Sequence, residues 1–393
     1  MFEALKNQPS DKIMELMALF SEDNRANKLD LGVGVYKNAN GVTPIMRAIK
    51  ISERTLLENQ MSKSYVGLLG SVEFCKEITD LVLNKEIEEK RLAYAQTPGG
   101  TGALHQLLLL LRSTGFSGTV WISDPTWPNH GAILSHLGLN VKKYSYFNEE
   151  TCEVDFPKMQ EDINKMGEQD VIILHGCCHN PTGANLDIDQ WGVLTNTFKN
   201  KRILPLIDLA YQGFGDGLNE DTEGLRRMLN EVPEAMLAVS CSKNFGVYRD
   251  RVGVAIVMSE NQSQRLVAQD NLKSLNRLTF SFPPDHGGAV VNQILKDESL
   301  RKLWKEELEE MRVSMLSLRE ELAKSLAMET GSDRFNFVVK HRGMFSKLGL
   351  NENQVKRLRE ENGIYMVSDS RVNIAGLRHE IIGSLANAIA KVI

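Results

Sequence analysis

Between about residues 45 and 290, short apolar runs alternate with segments of helical period. The runs are Thr119-Val120-Trp121-Ile122, Val171-Ile172-Ile173-Leu174, Ile203-Leu204-Pro205-Leu206-Ile207, Ala235-Met236-Leu237-Ala238-Val239 and Gly253-Val254-Ala255-Ile256-Val257. None alternates apolar with polar positions, so each reads as a strand buried on both faces. Helical segments between such strands predict a mostly parallel sheet in an α/β domain. Upstream, Asp11 to Phe20 carries apolar residues at helical spacing, and Lys28 to Tyr36 reads as a short strand entering a turn with Gly32 and Gly34. Downstream, Asp297 is placed to cap a long charged helix ending near Thr330-Gly331, with an apolar stripe of Leu300, Leu303, Trp304, Leu308, Met311 and Met315. A smaller α+β unit should follow, with strands near Phe335–Val339 and Ile364–Val367.

Composition narrows the class. A chain of 393 residues exceeds what one core usually fills, so two domains, or one large domain with a satellite, are expected. The net charge of −5 and a pI near 6.0 argue against nucleic acid or an anionic membrane as partners. Five cysteines, odd in number and without C-x-x-C spacing, fit reduced thiols in a cytoplasmic setting better than a disulfide framework or a zinc site. The first residues lack the layout of a signal or transit peptide, and the longest aliphatic run, Leu107 to Leu111, is too short to span a bilayer.

The segment Ser240-Cys241-Ser242-Lys243-Asn244-Phe245-Gly246 leaves the fourth of these runs, and Arg251 follows. A buried lysine near another cation loses its proton readily, and its amine can form a Schiff base with an aldehyde. The two serines and the fork of Arg251 suit a phosphate. An aldehyde and a phosphate on one small molecule describe pyridoxal phosphate; a surface lysine at a strand end is the alternative.

Other segments bear on this choice. Thr97-Pro98-Gly99-Gly100-Thr101-Gly102 precedes a helix-like run, where backbone N–H groups and the helix dipole favour an anion. It is neither a P-loop nor a dinucleotide fingerprint. Asp208 follows an apolar strand, where α/β folds place ligands, and a buried carboxylate there needs a cation such as a protonated pyridine. Tyr211, three residues on, suits the cofactor's phenolate oxygen. His175 and His179 are spaced like a metal pair, but no third ligand is evident. Asn180-Pro181 suits a cis peptide. Trp127 offers a flat face to a heteroaromatic ring, and His130 could orient a carboxylate. Arg277 and Arg371 each suit a bidentate carboxylate contact, with a surface ion pair as the alternative.

Taken in order, Gly99-Gly100-Thr101-Gly102, Asp124-Pro125-Thr126-Trp127-Pro128-Asn129-His130, His179-Asn180-Pro181-Thr182-Gly183, Asp208-Leu209-Ala210-Tyr211-Gln212-Gly213-Phe214, Ser240-Cys241-Ser242-Lys243-Asn244-Phe245 and Arg371-Val372-Asn373-Ile374-Ala375-Gly376 resemble the aspartate/aromatic aminotransferase family, class I of the fold-type I pyridoxal-phosphate enzymes. The resemblance runs nearly the full chain. It implies an arm over residues 1–11, a large cofactor-binding domain over 45–310 with a mostly parallel sheet between helices, and a smaller α+β domain from 12–44 and 311–393. It implies that Lys243 is the Schiff-base lysine and moves the proton between substrate Cα and cofactor. Asp208 then faces the ring nitrogen, supported by His130 and His175. Asn180 and Tyr211 bond the phenolate oxygen, and Trp127 stacks on the ring. Gly100, Thr101, Ser240, Ser242 and Arg251 form the phosphate cup. Tyr65 reaches the phosphate from the neighbouring subunit of a homodimer. Arg371, with Asn180 and the Gly34 backbone, holds the substrate α-carboxylate, and the partner's Arg277 receives a side-chain carboxylate. No metal is implied.

Two positions depart from the aspartate pattern. Phe282 stands where an Asn is common, and Lys347 where an aromatic is usual. A phenyl ring at that pocket edge favours aromatic side chains. The expected activity is transamination of aromatic amino acids and L-aspartate with 2-oxoglutarate, giving the oxo acid and L-glutamate in a ping-pong cycle through pyridoxamine phosphate. A strict aspartate aminotransferase is the alternative; a lyase on the same scaffold would instead release a new product.

Overall fold

The structure, a computed structural model, describes residues 2–7 and 12–393. Its centre is a seven-stranded sheet of β1 (Leu92–Pro98), β2 (Thr119–Asp124), β3 (Asn140–Ser145), β4 (Val171–His175), β5 (Leu204–Leu209), β6 (Ala235–Ser240) and β7 (Val252–Met258). They lie in the order β1-β7-β6-β5-β4-β2-β3. Strands β3, β2, β4, β5 and β6 pair in parallel, and β7 runs antiparallel to both β6 and β1. Alternation along β4 shows why the apolar runs are continuous. Val171 and Ile173 join one buried cluster with Leu104, Leu107 and Leu108 of the helix Gly99–Ser113. Ile172 and Leu174 join the other, beneath the helix Ile188–Lys201 with its Trp191 and Leu194. Both faces are covered, so both need apolar residues.

The helix Glu298–Thr330 forms as its punctuation predicts. Asp297 accepts a hydrogen bond from the Leu300 N–H at 2.9 Å, and Gly331 closes the far end in the left-handed region at φ 62°. Its buried stripe of Trp304, Leu308, Met311 and Met315 continues through Leu318 to Leu326, and the helix packs against His379–Val392.

Two predicted strands differ. Only Leu29–Asp30 of the segment Lys28 to Tyr36 is a strand, paired in parallel with Ile364–Tyr365. The chain then turns at Gly32, where a Cβ would lie 2.3 Å from Leu16. The apolar segment Phe335–Val339 meets no strand edge; its N–H groups bond back three residues, and Phe337–Lys340 is a short helix. Helix Lys12–Glu22 matches the first helical pattern, whereas Asp11, with residues 8–10 and Met1 of the expected arm, lies outside the described residues. No helix among the described residues is long and apolar enough to cross a membrane.

Candidate active site

Parallel strands that end together present their loops together. The C-terminal ends of β4, β5 and β6 carry His175, Asp208 and Ser240. The antiparallel β7 adds what a purely parallel sheet could not. Gly253 pairs with Ser240 on one side and Thr97 on the other, so Arg251 and the start of the helix Gly99–Ser113 reach the same edge. A cavity of about 300 Å³ opens there, lined by Gly34, Gly100, Thr101, Trp127, His175, Asn180, Asp208, Tyr211, Ser240, Ser242, Lys243 and Arg251, and also by Ala210 and Tyr248.

At its floor Asp208 heads a buried chain of hydrogen bonds. His130 Nε2 lies 2.9 Å from Asp208 Oδ2, His130 Nδ1 lies 2.8 Å from Thr126 Oγ1, and that hydroxyl lies 3.2 Å from His175 Nε2. Burial alone would raise the Asp208 pKa, but the His130 hydrogen bond, with His130, His175 and Lys243 nearby, holds it below the ordinary value. The carboxylate therefore stays anionic, ready for a cation in the cavity.

Lys243 is partly buried above the Tyr211 ring, its Nζ 4.9 Å from the ring centre. Desolvation, reinforced by Arg251 and opposed by Asp208, brings its pKa down to about 8. Burial raises the Tyr211 phenol well above its usual value, so it remains a hydrogen-bond donor. Asn180 Nδ2 lies 3.5 Å from Tyr211 Oη.

The far end is shaped for a small anion. The helix Gly99–Ser113 starts after Pro98 with no side-chain cap, leaving its first N–H groups available. At Gly99, φ 73°, a Cβ would lie 2.5 Å from the Arg251 guanidinium, and at Gly100 one would lie 2.9 Å from Ser240 Cβ. The hydroxyls of Ser240 and Ser242 stand 3.1 Å apart.

Opposite lies Arg371, donating from Nη1 to Asn180 Oδ1 at 3.3 Å and from Nη2 to the Gly32 carbonyl at 2.8 Å. Its buried Nε has no partner, and no carboxylate neutralises it at hydrogen-bond distance. The face of the guanidinium rests 4.4 Å from the Phe345 ring centre. A Cβ on Gly34 would lie 2.7 Å from that ring, which is why the chain runs past it with a glycine.

Tyr65 and Arg277 stand outside this cavity. Tyr65 is 86% exposed and stacks on Phe282 at 4.7 Å; Arg277 lies 5.9 Å from the same ring and donates to Ser281 Oγ at 3.3 Å. Lys347 turns away as well, pairing with Glu149 over the Phe147 ring. The aromatic ring on the Arg371 guanidinium is Phe345, two residues before Lys347.

His175 and His179 do not converge on an ion. His179 lies 3.0 Å from Ser123 Oγ and 2.9 Å from Thr182 Oγ1, each ring nitrogen engaged. Asn180-Pro181 is cis, as its sequence suggests, and so is Asp124-Pro125. Sequence reasoning missed Thr126, which links two histidines, and Tyr248, whose Oη accepts from the Tyr36 N–H at 3.2 Å. Position five residues after Lys243 was the one available signal for Tyr248.

Comparisons with known proteins agree with this geometry. The family model described as aminotransferase class I and II matches residues 26–389. The aromatic-amino-acid aminotransferase of Paracoccus denitrificans is 50% identical over 388 residues, covering 99% of this chain and 98% of the relative. The aspartate aminotransferase of Escherichia coli strain K12 is 41% identical over 397 residues, covering 100% of each. The crystal structure of an aromatic-amino-acid aminotransferase from Burkholderia pseudomallei, covalently bound to pyridoxal phosphate, superposes with a TM-score of 0.96 at 36% identity, covering 100% of this chain and 99% of the other.

Proposed function

The chain belongs to the class I and II aminotransferases, and on that premise we propose that it moves the amino group of aromatic amino acids, and of L-aspartate, onto 2-oxoglutarate with pyridoxal phosphate as cofactor. The observation that carries the reading is a partly buried lysine, its pKa brought down to about 8, sharing one cavity with a buried aspartate held anionic by a histidine.

The residues fit that cofactor. Gly100, Thr101, Ser240, Ser242 and Arg251 would take its phosphate, Asp208 its ring nitrogen, Asn180 and Tyr211 its ring oxygen, and Trp127 one face of the ring. When bound, it supplies an aldehyde that condenses with amino groups and a cationic ring that accepts electron density from the substrate Cα. The chain's own work is then positional and protonic. Arg371 fixes the substrate α-carboxylate through the guanidinium edge that has no anionic partner. Lys243, neutral in a useful fraction near pH 8, takes the proton from Cα and returns it elsewhere. Asp208 keeps a proton on the ring nitrogen, because the His130 hydrogen bond holds its carboxylate anionic against the burial that would protonate it.

Tyr65 and Arg277 complete the site only when supplied by a second copy, so the working form is a homodimer with shared sites, in the cytoplasm. Residues 45–310 would then hold the cofactor, and residues 12–44 with 311–393 would form the smaller domain. The test is an absorbance titration of the purified protein with pyridoxal phosphate, then L-phenylalanine and L-aspartate separately, followed by kcat/KM for both. Covalent uptake of the cofactor, a spectral change with each amino acid and L-glutamate as product are expected. A colourless protein that takes up no cofactor defeats the proposal, and turnover of aspartate without phenylalanine reduces it to a strict aspartate aminotransferase.

A further inference from the structure

Arg319 is the one large charged side chain among the most deeply buried residues, at 1% exposure, and lies on the helix Glu298–Thr330 rather than at the cavity. The charged or ionisable groups that act on it include the Cys178 thiol, the Arg342 guanidinium and the His341 ring, none a carboxylate. A buried cation without an anionic partner is costly, and its remaining contacts must justify it. Those contacts converge on one short segment. Nη2 donates to the carbonyls of Gly343 at 2.7 Å and Phe345 at 2.8 Å; Nη1 donates to Ser346 Oγ at 2.6 Å and to the Val338 carbonyl at 3.2 Å.

The segment so held separates the two arms that grip a substrate carboxylate. On one side the Arg342 N–H bonds to the Gly183 carbonyl and the Lys347 N–H to that of Thr182, in the turn that carries Asn180. Gly183 approaches so closely that a Cβ there would lie 2.2 Å from the Phe345 carbonyl oxygen. On the other side Phe345–Lys347 pairs antiparallel with Arg371–Asn373, and the Phe345 ring supports the Arg371 guanidinium.

We infer that Arg319 is a positioning residue for substrate carboxylate binding. By fixing the carbonyls of Gly343 and Phe345 it sets the height of the Phe345 ring and, through that ring and the shared strand register, the aim of Arg371 toward Asn180. Planar, bidentate donation onto two carbonyls suits arginine; a lysine supplies a point charge with donors in a different arrangement. The inference rests on the proposed role of Arg371 and deepens it. The segment adjoins two residues assigned to the cofactor, Asn180 through its turn and Tyr211 at 6.2 Å between rings, but none of the phosphate cup, so cofactor uptake should change far less than carboxylate binding.

The experiment compares Arg319→Met and Arg319→Lys with the native holoenzyme. It reads binding of 3-phenylpropionate, the amino-free analogue of phenylalanine, by absorbance, together with KM, kcat, pyridoxal-phosphate affinity and thermal midpoint. Misplacement of a binding group by about 1 Å can cost two orders of magnitude. Arg319→Met should therefore weaken 3-phenylpropionate and raise the KM of both amino donors about tenfold to a hundredfold, leaving cofactor affinity within about twofold. Arg319→Lys should restore part of the carboxylate affinity. Should Arg319→Met not fold, Ser346→Ala, which removes one acceptor, should still weaken the analogue without affecting the cofactor. Native carboxylate affinity in a folded Arg319→Met variant, or equal losses for cofactor and carboxylate, overturns the inference. A native protein that takes up no pyridoxal phosphate would instead overturn the functional reading beneath it.

Discussion

Asp208, buried near a strand end, and the partly buried Lys243 just past the next strand line one cavity, whereas Tyr65, Phe282 and Arg277 form a stack outside it. The buried group shares fixed hydrogen bonds that run from Asp208 through His130 and Thr126 to His175. The side chains of the outer stack make one hydrogen bond among the described residues, from Arg277 to Ser281, and otherwise aromatic and cation–π contacts. On the proposed function, chemistry at Cα would belong to the hydrogen-bonded inner group and reading of the substrate side chain to the outer stack. Substrate range can then change without disturbing the reactive groups.

Lys243→Ala is the most direct attack on the inner half. Without the amine, covalent uptake of the cofactor should cease and turnover with every donor should fall on the order of a thousandfold. Retained turnover with both aspartate and phenylalanine would place the proton-moving group elsewhere.

The outer half should respond selectively. Losing a charge pair from a desolvated pocket costs about 2–5 kcal/mol, so Arg277→Ala should lower kcat/KM for aspartate about 30-fold to a few thousandfold while sparing phenylalanine. Whether the stack serves its own chain's cavity or a partner's is a separate question that mixing answers. Arg277→Ala chains retain Lys243, and Lys243→Ala chains retain Arg277, so a mixed dimer contains one intact shared site. Equal mixing should return about a quarter of the native aspartate rate per chain. No gain over the separate variants, with mixed dimers shown to form, would mean that each chain serves itself.

The buried half was far more legible in the sequence than the outer half, for a physical reason. Strands covered on both faces must be apolar throughout, so β2, β4, β5, β6 and β7 announce themselves, and the residue just after each run is a site candidate. Strand β1 was hidden because Gln96 and Thr97 look polar, yet Gln96 is buried, accepting from the Ser71 N–H at 2.9 Å and donating to the Pro284 carbonyl at 2.7 Å. Edge strand β3 was hidden by Lys142 and Lys143, which an exposed strand tolerates. Phe345 and Arg319 were illegible because their importance lies in contacts across 26 residues of chain, which no local pattern reports. Tyr65 could be named only by resemblance; the Arg277 guanidinium suits a carboxylate, but nothing near it in sequence indicates what it faces.

A smaller test lies within the stack. Phe282 offers its ring to Arg277 at 5.9 Å, an exposed cation–π contact worth about 0.5–1 kcal/mol. If that contact favours an outward-turned arginine, Phe282→Asn should raise the aspartate-to-phenylalanine ratio of kcat/KM about two- to fivefold. An unchanged ratio would show that the ring has no hold on Arg277.

The gentlest probe returns to the interior and concerns its stability. Burial lowers the pKa of His341 to about 3, and it pushes His175 and His179 well below the ordinary histidine value. Between about pH 6.5 and those depressed values the unfolded chain binds protons that the folded chain refuses, so stability is complete above the unfolded pKa and is lost as pH falls. Each such histidine adds a slope of up to about 1.4 kcal/mol per pH unit in that window. His341 bonds the Cys152 carbonyl at 2.8 Å and Ser346 Oγ at 3.0 Å, and is not among the residues lining the cofactor cavity. His341→Gln should therefore lower the urea midpoint at pH 7 yet flatten its decline between pH 6.5 and 5, with cofactor uptake intact. A variant whose midpoint falls with pH as steeply as the native protein's would show that His341 takes up its proton in the folded state, and that this part of the interior is wetter than its burial implies.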